Sequence, residues 1–249
     1  MKLTKDIELI DLAVYLPKHK TIILGDTHIG YEQDLINKGL LVPKTYFKDM
    51  MRRIKDIFVK VEVETVIFNG DIKHEFGIIS EQEWRDTLEL WNFLEKNSKK
   101  IILIKGNHDK TLGPLAKKKD LQVKDYIIID DIFITHGHEI HKIPKEIKTI
   151  IIAHEHPAIE LEETGRREKF KCFLAGSLKL EISNSCESSI RKKYKKFKLI
   201  VQPSLFLLTE GTDILRENLL SPYLKNINNF EVYIVGDKIY NFGKLKNLK

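Results

Sequence analysis

The stretch Thr21-Ile22-Ile23-Leu24-Gly25-Asp26-Thr27-His28 decides how this chain is read. Its apolar run is too short for a helix and stops at a glycine, which marks a buried strand. The strand hands an aspartate and a histidine to the loop at its end. The same design returns further along. Thr65-Val66-Ile67-Phe68 ends at Asn69-Gly70-Asp71, and Ile101-Ile102-Leu103-Ile104 runs into Gly106-Asn107-His108-Asp109. Ile132-Phe133-Ile134-Thr135 leads to His136-Gly137, and Thr149-Ile150-Ile151-Ile152-Ala153 leads to His154-Glu155-His156.

Helical patterns separate the first three strands. Pro43 opens a helix over about 44–60, because proline suits a first turn. Tyr46, Phe47, Met50, Met51, Ile54, Ile57 and Phe58 make its apolar face. Ser80-Glu81-Gln82-Glu83 is a capping box for a second helix, with Trp84, Leu88, Trp91 and Leu94 inward. The order strand, helix, strand, helix, strand predicts a parallel sheet with right-handed crossovers. The second half is strand-rich. Tyr126 to Ile129 and Ile132 to Thr135 read as a hairpin around Asp130-Asp131. Further runs lie at Phe170 to Leu174 and Leu199 to Val201. Glu231 to Ile234 and Ile239 to Asn241 form a terminal hairpin split by Gly236-Asp237. There is no internal repeat and no linker. The expectation is one α/β domain over 1–249 with two strand systems and its polar clusters at strand ends.

Composition sets the bounds. A chain of 249 residues with 42% hydrophobic content can bury a sizeable core. No apolar run approaches the roughly 18 residues of a membrane span. Charges interrupt the N-terminal residues, so they lack a signal-peptide core. Cys172 and Cys186 have no metal-type spacing, and two reduced thiols in a cytoplasmic protein are expected ahead of a disulfide. The net charge of +6 suits a polyanionic partner, although lysine-rich composition alone is weak support. Abundant Lys, Glu and Ile also suit a heat-adapted protein.

The polar clusters form a ligand inventory. Asp26 and His28 sit two apart, and an extended backbone would put both on one side of the chain. Asp71 can bridge two cations, Asn107 offers a neutral carbonyl oxygen, and His136, His154 and His156 offer imidazoles. Singly, a Gly-Asp pair is a turn and a lone histidine is a satisfied core or surface residue. Five such clusters in order, each after an apolar strand, point to a two-metal hydrolytic centre. Mixed N/O ligation without thiolate suits two divalent transition-metal ions, Mn first, with Fe, Zn, Co or Ni as alternatives. Such a pair can clamp a phosphoryl group and activate water.

These motifs resemble the calcineurin-like metallophosphoesterase superfamily: Asp-x-His, Gly-Asp, Gly-Asn-His-Asp, His and His-x-His, from about Ala13 to Val201. The resemblance implies a four-layer α-β-β-α sandwich with two mixed sheets. It implies one metal on Asp26, His28 and His156, a second on Asn107, His136 and His154, and Asp71 between them. His108 would be the general acid or phosphate contact, oriented by Asp109. Ala153 stands where the superfamily usually has glycine, which leaves the ligands intact. His136 is preferred to His138 because it comes first after its strand. Asp26-Thr27-His28-Ile29-Gly30-Tyr31-Glu32, Gly70-Asp71-Ile72-Lys73-His74 and His154-Glu155-His156-Pro157 resemble the ICC-like predicted phosphoesterases. So do Cys172-Phe173-Leu174 and the late Pro203-Ser204-Leu205-Phe206 with Gly211. That branch includes ligase-associated DNA-damage-response endonucleases and archaeal proteins proposed as repair nucleases.

Other residues carry weaker signals. His74 either contacts a substrate phosphate or caps a helix, and His138 is a second candidate contact. Arg166 and Arg167, with Lys169 and Lys171, either reach phosphates or decorate a solvated hairpin. The run Arg191-Lys192-Lys193-Tyr194-Lys195-Lys196-Phe197-Lys198 fits single-stranded nucleic acid or a charged surface loop. Phe206 and Leu207 read as core. The expected activity is a cytoplasmic phosphodiesterase that acts on nucleic acid in DNA repair. A small-molecule phosphoesterase for nucleotides or cyclic nucleotides, or a protein phosphatase, is the alternative. A non-catalytic scaffold comes last, since scaffolds tend to lose ligands that this chain keeps.

Overall fold

The structure, a computed structural model, describes residues 1–42, 45–73, 81–109, 122–182 and 193–248. Pro43, His74, Ser80, Cys186, Arg191 and Lys192, each given a part above, lie outside the described residues.

Strands β1 (Glu8–Ile10), β2 (Ala13–Leu16) and β3 (Thr21–Leu24) form an antiparallel meander. Three helices follow at intervals: α1 (Tyr31–Asn37), α2 (Tyr46–Lys60) and α3 (Glu81–Asn97). Between and after them, β4 (Thr65–Asn69), β5 (Lys100–Ile104) and β6 (Gln122–Lys124) add in parallel to β3. The result is a six-stranded sheet in chain order, β1 to β6. The parallel β3-β4-β5 centre is the one that the strand–helix alternation predicts.

The second sheet contains β7 (Tyr126–Ile129), β8 (Ile132–Thr135), β9 (Thr149–Ile152), β10 (Pro157–Glu163), β11 (Arg166–Ile182), β12 (Lys193–Val201) and β13 (Thr212–Asp213). Its order is β13-β10-β11-β12-β9-β8-β7. β14 (Glu231–Val235) lies along the middle of β11, and β15 (Ile239–Lys244) pairs with β14. Because β8, β9 and β12 run parallel while the hairpins are antiparallel, this sheet is mixed as well.

Strand alternation builds the layers. Ile22, Leu24, Val66, Phe68 and Leu103 point to α2 and α3, where Met50, Ile54, Ile57, Leu90, Trp91 and Leu94 meet them. Ile23, Ile67, Ile102 and Ile104 point the other way, onto Ile134, Ile151, Phe173 and Ile200 of the second sheet. Each such fully buried side chain contributes about 2 kcal/mol of transfer free energy. Among the described residues, Ile214, Tyr223, Leu224, Ile227 and Phe230 of an irregular C-terminal segment cover the second sheet's outer side. Among the described residues, two single 3-10 turns, Ile227–Asn229 and Leu245–Asn247, are the only helices there.

β11 is far longer than its apolar stretch Phe170 to Leu174. Its first part pairs with β10 and its last part with β12. The charged residues at its start, Arg166 to Lys169, gave no apolar signal, whereas Leu178 in its last part is buried in the core with Phe197 of β12.

Candidate metal centre

The loops after β3, β4, β5, β8 and β9 converge at one end of the two sheets. Thr27 Oγ1 donates to the Ile72 carbonyl at 2.8 Å, and the N–H of Ile29 donates to the same oxygen at 2.8 Å. His28 N–H donates to the Asp71 carbonyl at 3.0 Å. The loops after β3 and β4 are therefore laced together by backbone.

Two clusters result. Asp26, His28 and His156 offer ligand atoms within 4.8 Å of one another, as do Asp71, His136 and His154. Asn107 joins the second cluster, with its Oδ1 3.1 Å from His136 Nε2. Asp71 Oδ2 stands 3.3 Å from the same nitrogen, and Asp26 Oδ1 lies 3.2 Å from His156 Nε2. Asp26 Oδ1 is buried and accepts no hydrogen bond among the described residues. Buried oxygens and nitrogens crowded this way cost free energy unless a cation or protons join them. The donor set fits hard-to-borderline divalent cations.

The backbone here is not extended as the Asp26-x-His28 spacing suggested. Asp26, His28, Asp71, His154 and His156 have φ of 41°, 43°, 46°, 60° and 49°. Left-handed backbone is costly for non-glycine residues and gathers at functional sites. It turns each candidate ligand sharply off its strand end, which is how residues two apart still converge.

Electrostatics keep the histidines in distinct states. Burial pushes His28 down to about 3, and burial with the neighbouring His136 charge pushes His154 to about 4. Burial also opposes a charge on His136, but its hydrogen bond to Asp71 and the field of Asp26 outweigh it. They raise His136 to about 9. For Asp71, burial favours the neutral acid, yet His136 and His28 hold the carboxyl well below the usual range.

The family model for calcineurin-like phosphoesterases matches residues 19–183. This chain belongs to that family. Like other calcineurin-like phosphoesterases it is a hydrolase of phosphate esters, and its two clusters are the metal-binding candidates. Comparison with curated proteins gives no match. Among solved structures, a nuclease MPE from Pseudomonas putida superposes with a TM-score of 0.64 at 20% identity, over 95% of this chain and 94% of that one. A Vps29 from Entamoeba histolytica complexed with Zn2+ gives 0.37 at 14% identity, over 90% and 98%. A predicted phosphoesterase from Streptococcus pneumoniae gives 0.33 at 14%, over 90% and 97%.

The remaining candidates of this phosphoesterase divide sharply. His108 lines the cavity over the clusters and stands edge-on to His28, with ring centroids 5.2 Å apart. Asp109 has backbone partners of its own. The Asp109 carboxylate accepts N–H bonds from Ile72 at 3.1 Å and Gly106 at 3.0 Å, so it is turned into the protein to brace two ligand loops. Burial and the Asp71 charge raise its pKa to about 6. His138 sits outside both clusters, its ring 5.2 Å from that of His136.

Arg166 and Arg167 occupy the tip of the β10–β11 hairpin, which projects from the metal end of the sheet, and both are exposed. Arg167 Nε reaches Glu162 Oε2 at 3.0 Å. The basic run departs from expectation more. Its described part is strand β12, not a loop, and it lies at the opposite strand end. Val201 pairs beside Ile152 near the ligands, and Tyr194 is about 23 Å further along at about 3.3 Å per residue. Lys171, by contrast, is buried, and its Nζ donates to Ser204 Oγ, the Thr209 carbonyl and the Glu210 carbonyl at 3.0, 2.9 and 3.1 Å. It ties β11 to the loop that carries Phe206.

Sequence reasoning missed Glu155, Tyr31 and Leu220, which share the cavity with the ligands. Only Glu155 carried a usable signal, as a charge inside His154-Glu155-His156. Phe206 is core as expected, yet its ring also stands edge-on to His28 at 5.4 Å.

Proposed function

We propose that this chain is a binuclear metal-dependent phosphodiesterase that cuts DNA or another nucleic acid, with a role in DNA repair. The observation that carries the reading is the adjacency of the two ligand clusters with Asp71 and His108 at one cavity. When bound, two divalent cations, Mn in this proposal, would supply positive charge to a phosphoryl group and acidify the attacking water. Asp26, His28 and His156 would hold one, and Asn107, His136 and His154 the other. Asp71 lies near histidines of both clusters, which supports a shared ligand. His108 belongs to neither cluster and would pass a proton to the leaving oxygen. The N–H of His108 donates to Asp71 Oδ1 at 2.8 Å, which fixes the backbone from which its ring reaches the cavity.

The basic net charge and the fold shared with a nuclease over nearly the whole chain support a nucleic-acid substrate. One observation favours a small-molecule phosphoesterase instead: the lysine-rich β12 is remote from the cavity. The deciding experiment incubates the purified chain with Mn2+, Zn2+ or Ni2+ against single-stranded DNA, double-stranded DNA and free nucleotides. Cleavage of DNA that EDTA abolishes is expected. Turnover of nucleotides with both DNAs left intact would give the second reading its place.

A further inference from the structure

The cavity over the clusters has an apolar wall that metal binding does not require. It measures about 280 Å³ and is lined by Tyr31, Phe206 and Leu220 beside the ligand histidines. Tyr31 and Phe206 stand edge-on with centroids 5.0 Å apart, and Phe206 in turn meets His28.

Leu220 is 72% exposed, yet the turn that carries it is anchored at both ends of the centre. Buried Glu155 accepts the N–H groups of Leu220 and Ser221 through Oε2 at 2.9 and 2.8 Å. Ser221 Oγ donates to the Gly137 carbonyl at 2.7 Å. The loops that supply His136, His154 and His156 thus hold Leu220 at the mouth. A scattered exposed leucine is ordinary surface. One locked beside the ligands is a preformed contact.

We infer that this wall is a slot for the nucleobase next to the scissile phosphate, with Leu220 and Tyr31 as specificity-determining residues. The inference rests on the phosphodiesterase reading and names its substrate class. The volume suits a group of nucleotide size. An apolar and aromatic wall takes the flat face of any base without reading its sequence. A bare phosphate would leave the wall wet.

The test compares methyl esters of thymidine 3′- and 5′-monophosphate with abasic counterparts that carry hydrogen at C1′. Wild type should show at least about tenfold higher kcat/KM for the base-bearing ester in one of the two series, the fold-change expected for one stacked base. Leu220→Ser, a change at an exposed side chain, should cut that preference at least threefold while the abasic rate stays within twofold. Equal rates for both members of each pair, or full preference in Leu220→Ser, overturn the slot. So does a protein that cuts oligonucleotides yet turns over none of these esters. A protein that discriminates among the esters but cuts no oligonucleotide keeps the slot and loses the nuclease. Inactivity toward every ester and oligonucleotide removes the phosphodiesterase reading and the slot with it.

Discussion

His136 Nδ1 donates to the backbone carbonyl of Asn69 at 2.9 Å. A carbonyl can only accept, so this bond fixes the tautomer and leaves Nε2 as the nitrogen open to a cation or a second proton. Asn69 closes β4 on the first sheet, and His136 follows β8 on the second. One hydrogen bond therefore joins the two sheets at the candidate metal centre and aims the imidazole between Asp71 and Asn107.

From this geometry, His136→Ala should bind about one Mn2+ per chain where wild type binds about two. Activity should fall at least about 100-fold. His138→Ala should keep both ions. Metal analysis of the dialysed proteins decides, and a full complement in His136→Ala would return the ligand role to His138.

The metal-free chain should be most stable near pH 6.5. His28 and His154, depressed to about 3 and about 4, bind protons less readily folded than unfolded. Their contribution is present above the unfolded value near 6.5 and is lost as pH falls through the folded values. Asp109, raised to about 6, works the other way between about 3.8 and 6, a narrower pH range than that of either histidine. His136, raised to about 9, contributes fully below 6.5 and loses that contribution as pH rises toward 9. Lys171, pushed down to about 8 by burial, gains only above pH 8. Urea midpoints of EDTA-treated protein from pH 4 to 8 should peak in the middle. Mn2+ should remove the alkaline decline, because a cation replaces the proton on His136. Stability that climbs from pH 6.5 to 8 without metal would contradict the charged His136.

Gly106 is set by close packing. A Cβ there would lie 2.1 Å from Asp71 Oδ1 and 2.4 Å from the Asp71 backbone nitrogen. Gly106→Ala should cost about 1–3 kcal/mol and lower Mn2+ content, because Asp71 must move. At Gly39 nothing lies within 4 Å and φ is 85°. Gly39→Ala should cost about 1–2 kcal/mol from backbone strain alone and leave metal content unchanged. Equal metal content in the two variants would show that crowding against Asp71 is not what selects glycine at 106.

How much was legible follows from what each residue answers to. Ile22, Ile67 and Ile102 answer to burial, so the strands and their parallel order could be read from apolar runs. Asp26, Asp71 and His154 answer to chemistry that few other residue types supply, so the residues of the two candidate clusters were visible too. The left-handed turns at those residues were not, since they arise from lacing between loops far apart in sequence. The partner of Asp109 was hidden for the same reason. β1 and β2 were missed because Asp11-Leu12 and Pro17-Lys18 break them into runs of three and four residues. The basic stretch at Lys193 to Lys198 could be read for charge but not for direction. Only pairing of β12 with β9 shows which end faces the ligands.

That direction separates two sets of cations in their response to DNA. Arg166 and Arg167 stand on the arm that leaves His156, about 20 Å from it at about 3.3 Å per residue. A mononucleotide at the metals cannot span that gap, but a DNA strand can. Lys179 and Lys196 pair across β11 and β12 at the far end, where DNA held at the metals does not pass. Arg166→Ala with Arg167→Ala should weaken DNA binding and reduce the slope of log K against log salt. The reduction should be about 0.9 for each phosphate that the arginines neutralise in wild type. Because Arg167 already pairs with Glu162, the reduction should correspond more nearly to one phosphate than to two. Lys179→Ala with Lys196→Ala should leave the slope unchanged. Turnover of bis-p-nitrophenyl phosphate should be the same in all three proteins, since that diester needs only the cavity. Filter binding between about 50 and 200 mM salt distinguishes the cases. A slope altered by the lysine pair and not by the arginine pair would put the nucleic acid on the opposite end of the sheet and detach it from the metal centre.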